Sequence, residues 1–86
     1  MKTKILKKAI QYFGTNRQVD KAIEEMAELT KELLKIRHDA EMETILDLKC
    51  ELADVKIMIT QLELIFGNVD KEVEFKMQRL ERRMGA

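Results

Sequence analysis

Between residues 19 and 36 the apolar positions are Val19, Ala22, Met26, Leu29, Leu33 and Ile36. Steps of three and four in alternation return a side chain to the same helix face once per turn, which predicts an amphipathic helix with a narrow seam. The next stretch repeats the pattern with Ile45, Leu48, Leu52, Val55, Ile59, Leu62 and Phe66, and adds a second stripe from Leu46, Cys50, Ala53, Ile57 and Leu64. An apolar face that wide needs two neighbours. One is the preceding helix folded back as a hairpin; the other is the first helix, the last helix or a second copy of the chain. Val73, Met77, Leu80 and Met84 form a single seam near the C-terminus, which predicts a helix packed on one side only.

Punctuation is sparse: Gly14-Thr15-Asn16, His38-Asp39-Ala40-Glu41, Gly67-Asn68 and Gly85. These breaks predict four helices near residues 2–13, 18–37, 43–66 and 69–84, with Gly14 and Gly67 as C-terminal stops and Asn68 as an N-cap. Thr44 followed by Asp47 resembles a capping box. The expected architecture is all-α: one domain over residues 1–86, with four helices, a central antiparallel helical hairpin and completion by dimerisation.

Composition narrows the class. The 86 residues include no Pro and three Gly, as long helices require, and 45% hydrophobic residues is enough to fold. One Cys cannot form an internal disulfide, so the expected compartment is cytoplasmic. No run approaches the roughly 18 apolar residues of a membrane span, and the N-terminal segment lacks the pattern of a signal peptide. Net charge is zero, yet residues 1–17 carry five bases and no acid, whereas residues 18–66 carry six bases against twelve acids. An acidic centre argues against coating nucleic acid and for a cationic partner.

The acids are patterned. In an antiparallel hairpin, Val19 with Ile59, Met26 with Leu52 and Leu33 with Ile45 are all centred on residue 39, inside the polar break. Glu25 with Asp54 and Glu28 with Glu51 share nearly the same centre, so the motifs Glu25-Met26-Ala27-Glu28 and Glu51-Leu52-Ala53-Asp54 lie level. At about 100° per residue each acid pair sits about a quarter turn from its own seam, with the same hand in both helices, and so converges on one edge of the pair. Glu32 and Asp47 extend the two stripes. Four converging carboxylates repel one another and resist desolvation unless a cation cancels their charge. All-oxygen ligation with room for water and phosphate suits Mg²⁺. Zinc is poorly served by one His and one Cys, and the Glu-x-x-His pair of di-iron bundles is absent.

The stretch Ala22-Ile23-Glu24-Glu25-Met26-Ala27-Glu28-Leu29, followed by Glu51-Leu52-Ala53-Asp54-Val55, resembles the E-x-x-E and E-x-x-D signature of the MazG-like all-α nucleoside triphosphate pyrophosphohydrolases. Tyr12-Phe13-Gly14, Ile57 to Leu62 and Lys76 to Arg83 extend the likeness to the small, often phage-associated members of that group. The resemblance implies hydrolysis of a (d)NTP at the α-phosphorus to monophosphate and pyrophosphate. It also implies Glu25, Glu28, Glu51 and Asp54 as Mg²⁺ ligands and catalytic carboxylates, and a homodimer or homotetramer without nucleic-acid or membrane partners.

Lys76, Arg79 and Arg83 lie on one strip of the last helix, offset from its seam with the same hand as the acids, and form the candidate phosphate clamp. Lys2, Lys4, Lys7 and Lys8 read as a solvated face. Tyr12 and Phe13 are expected as core residues closing the first helix, with stacking on a base as the alternative; Gln18 or Gln61 would read the base edge. His38 reads as a solvated turn residue, Cys50 as a buried small hydrophobe and the methionines as mostly core, with Met58 bordering any base pocket. The chain has no serine, no phosphate loop, no G-x-G-x-x-G and no H-E-x-x-H, which removes other common enzyme classes. The competing reading is a non-enzymatic helical oligomerisation module, or a nucleotide sensor without turnover.

Overall fold

Two glycines set the helix order. Gly14 (φ 92°) and Gly67 (φ 119°) adopt backbone conformations that side-chain-bearing residues rarely enter. Each donates its N–H back into the helix it ends, to Ile10 O at 2.9 Å and Glu63 O at 2.8 Å. The computed structural model describes residues 2–38 and 41–85 and contains four helices: α1 (Thr3–Phe13), α2 (Thr15–His38), α3 (Met42–Phe66) and α4 (Asp70–Arg83). No strand occurs among the described residues. The expected turn centre at Asp39 and Ala40 lies outside them.

Helix ends depart from expectation in three places. Gly14 alone separates α1 from α2, because its carbonyl already accepts the N–H of Gln18 at 3.1 Å and draws residues 15–17 into the helix. Thr44 does not cap α3, which starts two residues earlier behind Glu41. Asn68 sits one position before the N-cap, Val69, where its Oδ1 accepts from the Asp70 N–H at 2.9 Å. Glu63 Oε2 accepts from both Asn68 Nδ2 and the Val69 N–H at 3.2 Å, tying the end of α3 to the start of α4. In α4, Asp70 and Glu72 occupy the first turn and Arg82 and Arg83 the last, matching the helix dipole.

The hairpin of α2 and α3 dominates the packing, and α1 lies against both, so α1 is the second neighbour that α3 requires. The buried apolar residues among those described are Leu6, Ala22, Val55 and Met58. Each long seam divides lengthwise. Ala22, Leu29 and Ile36 face inward with Leu48, Val55 and Leu62, whereas Met26, Leu33, Leu52 and Ile59 remain between 40% and 48% exposed. Polar residues take the inner places they leave: Gln18, Glu32 and Gln61 are buried and Glu25 and Glu51 half-buried.

Several expectations are corrected here. Tyr12 is 84% exposed and Phe13 half-exposed, paired edge to face with ring centroids 4.8 Å apart, because α1 presents Leu6 to the hairpin and leaves its C-terminal aromatics outside. Cys50 is exposed, as are Leu46, Ala53 and Ile57 of the same stripe, while Leu64 is half-buried. Met26, Met42, Met77 and Met84 are exposed and Met58 is buried. Helix α4 contacts no other helix among the described residues, so its Val73, Met77 and Leu80 seam is uncovered. His38 is exposed and ends α2. Among the described residues no helix is long and apolar enough to cross a membrane.

Candidate functional site

The register of the hairpin is pinned by Gln18 Nε2, which donates to Gln61 Oε1 at 2.7 Å across 43 positions of sequence. This pair shares its centre with the pairs Glu25 and Asp54 and Glu28 and Glu51, so the acid motifs are level across the hairpin. Glu25, Glu51 and Asp54 each offer a carboxylate oxygen within 4.8 Å of the others. Glu28 is exposed and stands outside this triad, though its charge reaches Glu51. Glu25 and Glu51 are turned further toward the helix interface than an edge position implies, and Asp54 keeps the triad open to solvent.

Glu51 bears the consequence. Its Oε2 is enclosed and has no hydrogen-bond partner among the described residues. Burial pushes its carboxyl above the usual carboxylate range, and the hydrogen bond with Glu25 and the charges of Glu25, Asp54 and Glu28 push the same way. An enclosed carboxylate oxygen beside two other acids is an arrangement that a hard dication would relieve. The donors are all oxygen, three in number, with an open side; Glu25, Glu51 and Asp54 could hold a metal ion. Exposed acid clusters also occur without metal, and Glu32 Oε2 is enclosed and unpartnered outside the triad; what sets Glu51 apart is an enclosed oxygen together with two neighbouring acids.

Cations near the acids come from α2. Lys21 Nζ lies 3.1 Å from Glu25 Oε1 and 3.8 Å from Glu24 Oε1. The hydrogen bond to Glu25, followed by the charges of Glu24, Glu25 and Asp54, holds the Lys21 ammonium above its ordinary pKa. Lys21 has no part in the resemblance, yet its i, i+4 spacing to Glu25 is a legible signal. Lys76, Arg79 and Arg83 lie on the exposed α4, which does not approach the acids within the chain. Glu32, one turn past Glu28, is buried: Lys35 Nζ meets its Oε1 at 3.1 Å and its Oε2 is enclosed without a partner. Asp47 is exposed.

A cavity of about 670 Å³ is lined by Lys21, the ion-pair partner of Glu25, and by Asp20 and Glu24, but by none of the three triad acids. Ala9 and Phe13 of α1 and Met58 of α3 give it apolar walls, Gln18 and Gln61 line it, and Arg17 adds a cation. A second hollow of about 560 Å³ lies along α1 beside Tyr12 and Phe13. Comparison of this chain with protein-family models, curated proteins and solved structures finds no match.

Proposed function

We propose that this chain is a Mg²⁺-dependent nucleoside triphosphate pyrophosphohydrolase that converts a (d)NTP to monophosphate and pyrophosphate. The observation that carries the reading is the enclosed, unpartnered Oε2 of Glu51 within a triad of carboxylates contributed by two helices. The MazG-like resemblance of the two acid motifs supports the same chemistry. Glu25, Glu51 and Asp54 would hold the ion, which when bound supplies charge neutralisation for the polyphosphate and a more acidic water. Glu28, level with Glu51 but outside the triad, has an uncommitted carboxylate and takes the proton as water oxygen bonds to the α-phosphorus and the bond to the pyrophosphate leaving group breaks. Lys21, paired to Glu25, and Arg17, on the wall of the same cavity, would meet the leaving phosphates.

The working unit is a homodimer or homotetramer. Four buried apolar side chains among the described residues are a small core, and the uncovered residues Met26, Leu33, Leu52 and Ile59 match the uncovered seam of α4 in chemistry. Docking α4 of a second copy there would also carry Lys76, Arg79 and Arg83 toward an acidic surface.

The test is direct. Purified protein with Mg²⁺ should release pyrophosphate, and no orthophosphate, from at least one member of a broad (d)NTP panel. Folded protein that turns over none of them overturns the proposal. A second reading, an assembly module without turnover, is favoured by the same uncovered apolar residues; it predicts that Glu51→Gln alters neither metal response nor assembly.

A further inference from the structure

One Tyr and three Phe are the aromatic residues of the chain, and none of them lies in its core. Tyr12, Phe13, Phe66 and Phe75 are exposed by between 48% and 84%. Aromatic rings ordinarily dominate the interior of a small domain, so rings left together on the surface mark a place for an apolar partner. Three of them gather at one end. The hydrogen bond between Gln18 and Gln61 sets the last turn of α3, with Phe66, level with the junction of α1 and α2 at Gly14, and Tyr12 and Phe13 immediately precede that junction.

The side of the chain that carries Tyr12 is positive. Residues 1–17 include Lys2, Lys4, Lys7, Lys8 and Arg17 and no acid. Lys4, Lys7 and Lys8 are exposed on α1 and make no ion pair among the described residues, where the salt bridges belong to Lys21 and Lys35. Ile5 and Tyr12, seven residues apart, share one side of α1, and Lys4 and Lys8, one turn apart, border it. There lies the open hollow of about 560 Å³, with Ile5, Ala9, Tyr12 and Phe13 as its apolar lining and Lys8 on its wall.

Charge decides the occupant. Two copies meeting through this side about a two-fold axis would bring lysine against lysine, which disfavours self-association here. An anionic partner is required. A nucleic-acid strand is poorly matched, because Tyr12 and Phe13 pack edge to face with ring centroids 4.8 Å apart and offer no joint platform for stacked bases, and the lysines fan round α1 instead of following one row. A helical peptide needs a groove with two walls, whereas this hollow is lined by α1 alone. A bilayer surface of anionic lipid suits all these features: lysine stems cover apolar surface while their ammonium groups reach headgroups, aromatic and aliphatic side chains enter the acyl boundary, and fluid headgroups adjust to a fan of charges.

We propose that the outer side of α1 docks on anionic phospholipid, with Ile5, Tyr12 and Phe13 entering the interface and Lys4, Lys7 and Lys8 meeting headgroup phosphates. Attachment is peripheral, since among the described residues no helix is long and apolar enough to span. The family likeness does not imply this partner, and none of these residues belongs to the acid triad, so lipid docking stands or falls apart from hydrolysis.

Co-sedimentation of the full chain with lipid vesicles in EDTA tests the surface. Vesicles of phosphatidylcholine with about 30% phosphatidylglycerol should bind the chain at least about tenfold more tightly than vesicles of phosphatidylcholine alone, and about 0.5 M NaCl should abolish the difference. Lys4→Gln/Lys7→Gln/Lys8→Gln should weaken binding by about 10²-fold and Ile5→Ser/Tyr12→Ser by about tenfold. All five positions are exposed, so both variants keep the fold, which circular dichroism checks. Arg79→Gln/Arg83→Gln should bind as wild type does, because those bases lie on α4. No binding to either vesicle overturns the proposal, and so does equal binding to both. Wild-type binding by the lysine variant overturns the assignment to α1, and wild-type binding by the serine variant overturns insertion. Capture of oligothymidylate or polyglutamate through the same lysines, with vesicles left unbound, overturns the lipid in favour of another polyanion.

Discussion

Lys21 Nζ stands 3.1 Å from Glu25 Oε1, one turn away on the same helix, so one carboxylate of the acid triad already holds a cation belonging to the chain. A bound dication would compete with that lysine for Glu25. Lys21→Met should therefore tighten Mg²⁺ or Mn²⁺ binding severalfold in calorimetric titration while weakening the binding of a triphosphate. Weaker metal binding in the variant would show that Lys21 supports the acids against the ion rather than competing with it.

Glu51 sets a pH dependence with a definite sign. Its folded-state pKa is raised, by burial first and neighbouring acids second, so the folded chain retains a proton that the unfolded chain releases. Stability of metal-free protein should fall as pH rises from the ordinary carboxylate value through the raised one, and stay lower above it. Glu51→Gln should remove that fall: its urea midpoint should exceed the wild-type value at neutral pH and match it in mild acid. Mg²⁺ should raise the wild-type midpoint at neutral pH and leave the variant unmoved.

Glu28 separates ion binding from chemistry. It is exposed and outside the triad, so Glu28→Gln should keep most of the Mg²⁺-induced rise in melting temperature while lowering kcat by roughly 10²- to 10⁴-fold, the range of a lost general base. A variant that loses metal stabilisation instead would make Glu28 a ligand.

The exposed α4 makes assembly testable. Sedimentation should give a multiple of the 10.1 kDa chain mass, and Leu52→Glu should reduce it. If the basic strip of one copy serves the acids of another, Glu51→Gln and the double variant Arg79→Gln/Arg83→Gln, each weakly active alone, should complement on mixing. Random reassociation of dimers restores about a quarter of the sites. Absence of any recovery despite subunit exchange would remove α4 from the site.

Two positions outside the acid triad carry stability, one through its backbone and one through packing. At Gly14 an added Cβ would meet open space, so Gly14→Ala measures conformation alone and should cost about 1–3 kcal/mol in urea unfolding. Ala22 is 2% exposed on the inner face of α2, and Ala22→Leu should cost a further ~1–3 kcal/mol by overpacking.

Local pattern alone was sufficient for four helices and for the antiparallel register, because step spacing is a property of each segment and the centre of a hairpin follows from two such segments. The hydrogen bond between Gln18 and Gln61 lies in the register that the seams imply. The level placement of Glu25, Glu51 and Asp54 was legible for the same reason. Which half of each seam turns inward was not. That choice depends on how closely α2 and α3 approach at the small Ala22 and on where α1 settles, which are relations between segments distant in sequence. Once made, it carries Gln18, Gln61 and Glu32 inside, leaves Met26, Leu33, Leu52 and Ile59 outside, and sets Glu28 apart from the other acids. It also leaves α4 without contact to another helix among the described residues. Periodicity specifies how each helix is divided into faces; packing decides which face each neighbour takes, and the chemistry of the site follows from that second decision.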